Sequence, residues 1–248
     1  YYKQPSFAGE LRQFYHRAAI VCLKIWGNQQ AFAYYFGKAF EYETADSQFE
    51  SALASLRKKD YVRAFSLMRK AANNYHTEAA FYLGRFYEES IGTKADLARA
   101  EKCYMVCLEE EYAKGIFKLG LLYKKRSEWH KAMRCFRYLA NSGNAQAQIE
   151  CGCIVFENGD FAQACEFFNA AAAQGYPEAM YNLAETYKIW LKQNSAEDLS
   201  KIEQEKVFKT IKLLYNRAAG LGYTHAIHEF GMISLYEGLF DQAVHYLG

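Results

Sequence analysis

Few residues of this 248-residue chain combine a type and a spacing that could support chemistry. His225 and His228 lie three positions apart with Glu229 beside them, so a helix would place both imidazoles on one face. A zinc-binding helix would carry the order H-E-x-x-H and a third ligand; that order is absent, and His245 is only a distant candidate. The sequence therefore predicts no metal site, and we expect these histidines to lie on a surface or to line a groove.

The cysteines are the second group that could react. Cys103 and Cys107 lie one helical turn apart and could form a reactive pair, although helical positions facing neighbours favour a role as small apolar residues. Seven cysteines are an odd number, and no C-x-x-C pair occurs. We expect reduced thiols, and hence the cytoplasm or another reducing compartment, which includes a host cytosol if the protein is a secreted effector.

Other catalytic patterns are missing from the sequence. It contains neither G-x-G-x-x-G nor G-x-x-x-x-G-K, and its acidic residues scatter without forming a carboxylate pair. We therefore predict a protein that is not an enzyme and needs no cofactor. A formal net charge of +2 does not favour nucleic acid as a partner, and no apolar run is long enough to predict a membrane span.

An internal repeat sets the positions of all these residues. A Gly or Ala recurs at spacings of 32 to 47 residues, and a second marker follows it by 12 residues in five of the seven copies. The first marker is Ala19, Ala52, Gly84, Gly120, Gly152, Ala184 and Gly231; the second is Ala31, Ala64, Ala100, Ala132, Ala164, Ile211 and Ala243. Large residues four positions after the second marker would fill the space that the small ones leave.

The repeat predicts an all-α fold in which paired helices stack along a single solenoid over residues 1–248. Each copy would contribute two helices joined by a short polar turn, fourteen helices in all. The predicted repeats are 12–44, 45–76, 77–112, 113–144, 145–176, 177–223 and a truncated 224–248. Because the sequence opens on Tyr1 and its first Met is Met68, we expect a fragment or a processed chain.

The pattern A-A-x-x-G-x-x-x-A followed by L-A/G-x-x-Y is the most specific feature of the repeat. Its clearest copy comprises Ala171, Ala172, Gly175, Ala179, Leu183, Ala184 and Tyr187. This pattern resembles the Sel1-like repeat, a relative of the tetratricopeptide repeat (TPR). The resemblance implies an α/α solenoid wound as a right-handed superhelix, and an adaptor that holds partners on its concave face. Some secreted members bridge paired helices by disulfides, which would need cysteine pairs in every repeat.

If the repeats stack as in that family, the first helix of each pair lines the concave face. The inward positions would then be −6, −3, +1 and +4 relative to the first marker. The predicted partner-binding residues are Phe81, Arg85, Lys114, Phe117, Leu121, Lys124, Ile149, Cys153, Phe156, Tyr181, Glu185 and Lys188. An apolar strip with a charged rim is typical of a peptide groove. The alternative is that these side chains pack against the next repeat; loss of partner capture without loss of folding in Phe117→Ala with Phe156→Ala would separate the two.

Charge and insertion add two smaller expectations. Residues 113–144 hold eight Lys or Arg between acidic neighbours, which could bind an acidic group or could simply be neutralised by adjacent repeats. The longest spacing arises from residues 190–206, where Ser195 and Asp198 predict a capping box and a longer second helix in the sixth repeat. This insert would form a partner-contacting ridge or a solvated extension.

Two classes of function stay open at this point. The sequence favours a non-catalytic scaffold or adaptor that binds a protein or peptide partner on the concave face. The alternative is a structural subunit of a larger multiprotein assembly. Capture of short peptides would favour the first class, and co-purification as one fixed complex the second.

Overall fold

The computed structural model describes residues 7–24, 27–193 and 200–247, with side chains left out at 7–13, 16 and 40–44. These residues form thirteen α-helices and no strand. The helices are α1 (Phe7–Lys24), α2 (Gln29–Arg57), α3 (Tyr61–Asn73), α4 (Thr77–Glu89), α5 (Leu97–Glu109), α6 (Ala113–Lys125), α7 (Trp129–Asn141), α8 (Ala145–Glu157), α9 (Phe161–Ala173), α10 (Pro177–Gln193), α11 (Lys201–Gly220), α12 (Thr224–Tyr236) and α13 (Phe240–Leu247). None of them is long and apolar enough to cross a membrane.

The chain divides into two compact units, Tyr1–Leu122 and Tyr123–Gly248. In the first unit, consecutive helices pack against each other in the pairs α1–α2, α2–α3, α3–α4 and α4–α5. In the second unit the same holds from α7 to α13, and α8 also contacts α10 directly. Both units therefore have the predicted all-α arrangement, a series of paired helices of the α/α solenoid class. We call α4, α6, α8, α10 and α12 the first helices, and α3, α5, α7, α9, α11 and α13 the second helices.

Turn chemistry explains where the helices begin and end. The side chains of Asp60, Asp96 and Asp160 accept hydrogen bonds from backbone N–H groups at the starts of α3, α5 and α9. At the end of α9, Gly175 adopts a left-handed backbone with φ of 88°, which a residue without Cβ does at no steric cost. Pro177 then opens α10, as the sequence predicts.

The repeat markers meet in the core of each unit. From the second repeat onward, both marker columns are buried. A Cβ added to Gly152 would lie 2.5 Å from the ring of Phe168, and one added to Gly84 would lie 2.5 Å from the ring of Tyr104. Because both rings stand four positions after a second marker, the structure confirms that large residues fill the space left by small ones.

Two features differ in detail from the sequence expectation. Helix α2 runs without interruption through residues 44 and 45, where the sequence places the boundary between the first two repeats, because no Gly or Pro lies there to end a helix. In the sixth repeat, α10 and α11 have 17 and 20 residues, so the insert lengthens both helices. The predicted Ser195–Asp198 capping box lies outside the described residues; a capping box is formed by Ser200 and Glu203 at the start of α11.

Candidate functional site

In the first unit, two of the predicted site residues, Phe81 and Arg85, are engaged with their own neighbours. Phe81 is only 9% exposed and packs against three tyrosine rings, so it is not accessible to a partner. The guanidinium of Arg85 donates two hydrogen bonds of 2.9 Å to the carboxylate of Glu89 one turn later. Lys114 is exposed, and Phe117 and Leu121 are half-buried on α6.

In the second unit, most predicted site residues lie at the surface. Ile149 is the exception, since it is 1% exposed and belongs to the hydrophobic core. Its burial favours the packing alternative for this position, and we leave it out of the candidate site. Cys153, Phe156, Tyr181 and Glu185 are half-buried, and Lys188 is exposed.

Ion pairs connect successive first helices in a regular register. Each joins the residue four positions after one first marker to the residue two positions before the next. In the second unit, Lys124 Nζ lies 2.7 Å from Glu150 Oε2, and Lys188 Nζ lies 3.1 Å from Glu229 Oε2. In the first unit, Glu88 and Lys118 form the corresponding pair at 3.7 Å with the charges reversed. We call these contacts the cross-repeat ion pairs.

The register of cross-repeat ion pairs is interrupted between α8 and α10. The two positions are occupied there by Phe156 and Asn182, which cannot form an ion pair. An open groove of about 390 Å³ lies at this point, which we call the α8–α10 groove. Its lining residues are Cys153, Phe156, Glu157, Phe168, Asn182, Glu185 and Ile189. Three of the predicted site residues, Cys153, Phe156 and Glu185, are thus brought together.

The polar groups of the α8–α10 groove are fixed to different degrees. Glu185 accepts a hydrogen bond from Lys188 Nζ at 2.7 Å and another from the hydroxyl of Tyr215, whose ring is buried. By contrast, the Asn182 side-chain amide makes one long contact, 4.0 Å from its Nδ2 to Cys153 Sγ. Because a thiol is a weak acceptor, the amide keeps capacity to bind a peptide group.

The cysteines that could react are protonated at neutral pH, and the two histidines pack beside aromatic or acidic neighbours. Burial raises the pKa of Cys153 to about 11, with the nearby Glu150 carboxylate as the next cause, so its thiol is protonated at neutral pH. Burial likewise raises the pKa of Cys103 to about 11 and that of Cys107 to about 12. His225 packs beside the rings of Tyr181 and Tyr223, and His228 lies 3.6 Å from Glu229. Within the described residues, no three His, Cys, Asp or Glu side chains are grouped as metal ligands.

Part of the basic band at 113–144 is neutralised by its surroundings. Lys118 and Lys124 belong to cross-repeat ion pairs, and Lys131 Nζ lies 2.5 Å from Glu128 Oε2. For these three residues the structure favours neutralisation by neighbouring carboxylates over an anion site.

Sequence reasoning missed the column two positions before each first marker, which includes Glu150, Asn182 and Glu229. We expected only the positions −6, −3, +1 and +4 to face inward. The opposite charges of Lys124 and Glu150, and of Lys188 and Glu229, would have revealed this column if the −2 and +4 positions had been compared. The same comparison would have shown that Phe156 and Asn182 break the pattern in the second unit, as Leu56 and Tyr82 do between α2 and α4.

Comparison with known proteins supports the fold. No protein-family model and no curated protein matches the chain. Among solved structures, the Sel1 repeat protein from Oxalobacter formigenes is 20% identical with a TM-score of 0.64, covering 94% of this chain and 95% of its own. The protective antigen c5321 of uropathogenic Escherichia coli, described as having an SLR fold, is 21% identical with a TM-score of 0.62. That match covers 93% of this chain, which spans about half (49%) of the length of c5321.

A third similar structure is that of Pseudomonas aeruginosa pilF, which is 16% identical with a TM-score of 0.60 over 83% of this chain and 90% of its own. The likeness to these proteins extends over most of the chain, although few residues are identical.

Proposed function

We propose that this chain, which has the α/α solenoid fold of Sel1-like and TPR-like proteins, is a non-catalytic interaction scaffold. Its partner is a protein that places a short segment in the α8–α10 groove. The observation that carries this proposal is the interruption of the cross-repeat ion pairs at Phe156 and Asn182. Elsewhere on the second unit a salt bridge occupies this position between neighbouring first helices, whereas here the space is open.

The composition of the groove suits a peptide segment. Phe156 and Ile189 offer apolar surface to an anchoring side chain, and the buried ring of Phe168 forms part of the lining. The Asn182 amide can both donate to and accept from a peptide group, which would fix the register of an extended segment. A volume of about 390 Å³ accommodates one or two side chains rather than a folded domain.

Two substitutions in the groove test this proposal. Phe156→Ala removes the apolar anchor, and Asn182→Ala removes the side-chain amide; each alters a side chain that is not fully buried. We expect either change to reduce partner capture about tenfold, equivalent to roughly 1.4 kcal/mol of binding free energy. Affinity capture from the native source, quantified by mass spectrometry, measures the loss.

Matched controls lie on the second helices of the same unit. Tyr138→Ala on α7 and Asn169→Ala on α9 delete exposed side chains of similar type, and we expect them to retain capture. If both groove variants capture the same proteins as the wild type, the α8–α10 groove is not the binding site. A complex of fixed stoichiometry that survives both substitutions would favour a structural subunit of an assembly instead.

A further inference from the structure

The charges around the α8–α10 groove are unbalanced. Among its lining residues are two carboxylates, Glu157 and Glu185, and no Lys or Arg. Residues 145–176, which include α8, contain no Lys or Arg at all. Glu178, in the first turn of α10, lies four residues before the lining residue Asn182 and therefore on the same face of that helix, where it adds a further carboxylate.

The nearby ammonium groups are already engaged. Lys124 is paired with Glu150, and Lys188 bridges Glu185 and Glu229 at 2.7 and 3.1 Å. Glu157 and Glu178, in contrast, form no hydrogen bond or ion pair within the described part of the chain. Five carboxylates therefore share this surface with two lysines, and the charge of Glu157 acts on Lys124 without forming an ion pair.

The excess negative charge adds to the effect of burial on the pKa of the thiol and phenol groups at the groove. After burial, Glu150, Glu178 and Glu157 all raise the pKa of Cys153, and only Lys124 opposes them. For Tyr181, Glu185 and Glu229 raise the pKa after burial, while Lys188 lowers it. The carboxylates thus disfavour the ionised forms of Cys153 and Tyr181. The same negative charge attracts a cationic ligand.

An aromatic cluster borders the same carboxylates. The ring centroids of Tyr181 and Tyr223 lie 5.4 Å apart, and His225 packs within 5.8 Å of both. Tyr181 and Tyr223 are half-buried, so parts of their rings are open to solvent. Aromatic faces attract guanidinium and ammonium groups, and the neighbouring carboxylates attract the same groups.

We propose that the segment bound in the α8–α10 groove is basic, with a bulky apolar side chain against Phe156 and Ile189 and flanking Lys or Arg residues that pair with Glu157 and Glu178. This inference rests on the proposed function and names the chemistry of the partner. It excludes acidic and phosphorylated segments, because their charges would meet unpaired carboxylates.

Two synthetic peptides test the inference on the full 248-residue chain. Both are capped, fluorescein-labelled decapeptides with leucine at the same positions; one carries four arginines and the other four glutamates. Fluorescence anisotropy measures binding at 50 and 300 mM salt. We expect the arginine peptide to bind at least tenfold more tightly than the glutamate peptide, and to weaken as salt is raised, since screening acts on exposed charges.

Charge-neutralising variants test which carboxylates contribute to binding of the arginine peptide. The double variant Glu157→Gln with Glu178→Gln is expected to weaken binding of the arginine peptide about fivefold, as two partly exposed ion pairs would. Glu166→Gln, on the exposed face of α9, removes a carboxylate from the same unit and is expected to leave affinity within twofold of the wild type. Circular dichroism confirms that each variant is folded.

The possible failures are distinguishable. Equal binding of the two peptides, tighter binding of the glutamate peptide, or no binding of the arginine peptide would overturn a basic partner. So would an equal response to the Glu157/Glu178 and Glu166 variants. The proposed function fails separately, when capture of the native partner is unchanged by Phe156→Ala and Asn182→Ala.

Discussion

His76 shows how a single residue can make folding sensitive to pH. It is 6% exposed and caps α4, where its Nδ1 accepts a hydrogen bond of 3.1 Å from the backbone N–H of Ala79. Its Nε2 faces Asp46 Oδ1 at 3.4 Å, and its ring stacks on that of Phe49 with centroids 4.3 Å apart. Only an unprotonated Nδ1 can accept the capping bond, so the folded state holds the neutral imidazole.

We predict that His76 lowers stability in mild acid. Burial lowers its pKa from the ordinary 6.5, more than Asp46 and Glu78 raise it. The unfolded chain therefore takes up the proton first, so the free energy of unfolding falls as pH drops below about 6.5 and stops falling once the folded pKa is passed. In His76→Asn, which keeps a capping side chain, this part of the decrease should be missing. Urea unfolding at pH 7.5, 6.0 and 5.0 compares the two, and an identical pH dependence would contradict the prediction.

At the scale of the helix pair, close contact between a first and a second helix depends on glycine. Gly152 on α8 faces the buried ring of Phe168 on α9, and an added Cβ would lie 2.5 Å from that ring. Gly220, the last residue of α11, has nothing within 4 Å of an added Cβ. Alanine substitutions at these two glycines therefore distinguish the effect of packing from the effect of helix propensity.

We predict opposite effects for alanine at these two glycines. Gly152→Ala should destabilise the protein by about 1–3 kcal/mol, because the ring of Phe168 is enclosed and must shift. Gly220→Ala should be neutral or stabilise by up to about 1 kcal/mol. Adding Phe168→Leu to Gly152→Ala should cost less than the sum of the single changes, since the smaller side chain relieves the clash. Urea unfolding compares the wild type with the three single variants and the double variant; additive costs would show that Gly152 and Phe168 do not compete for space.

The same scale shows what could be predicted from the sequence. The helices, their markers and the filling of space beside small residues by large ones follow from spacing alone, because small and large residues recur in a fixed register. The continuity of α2 could not be predicted in this way, because the repeat pattern marks the expected position of a turn even where no residue ends the helix. Part of the groove was predicted through Cys153, Phe156 and Glu185. Asn182 was missed because its role depends on a residue 26 positions earlier, on another helix.

At the scale of the whole molecule, both compact units carry the cross-repeat ion pairs. Glu88 and Lys118 form one in the first unit, and the second unit contains two. Exposed or half-buried pairs of this kind contribute little to stability, about 0–1 kcal/mol each. Their main effect is steric, because each salt bridge occupies the surface between two neighbouring first helices. A partner is therefore expected in the second unit where the ion pair is replaced and a groove is open, at Phe156 and Asn182.

Restoring the missing ion pair tests this account most directly. The double variant Phe156→Lys with Asn182→Glu reproduces the Lys124–Glu150 arrangement at the α8–α10 groove, and Tyr138→Lys with Asn169→Glu makes the same types of change on the second helices as a control. Partner capture is measured for both variants, with a thermal melt to confirm folding. We predict that the groove variant folds and loses capture while the control retains it. A folded groove variant that captures the partner as well as the wild type would contradict the central claim.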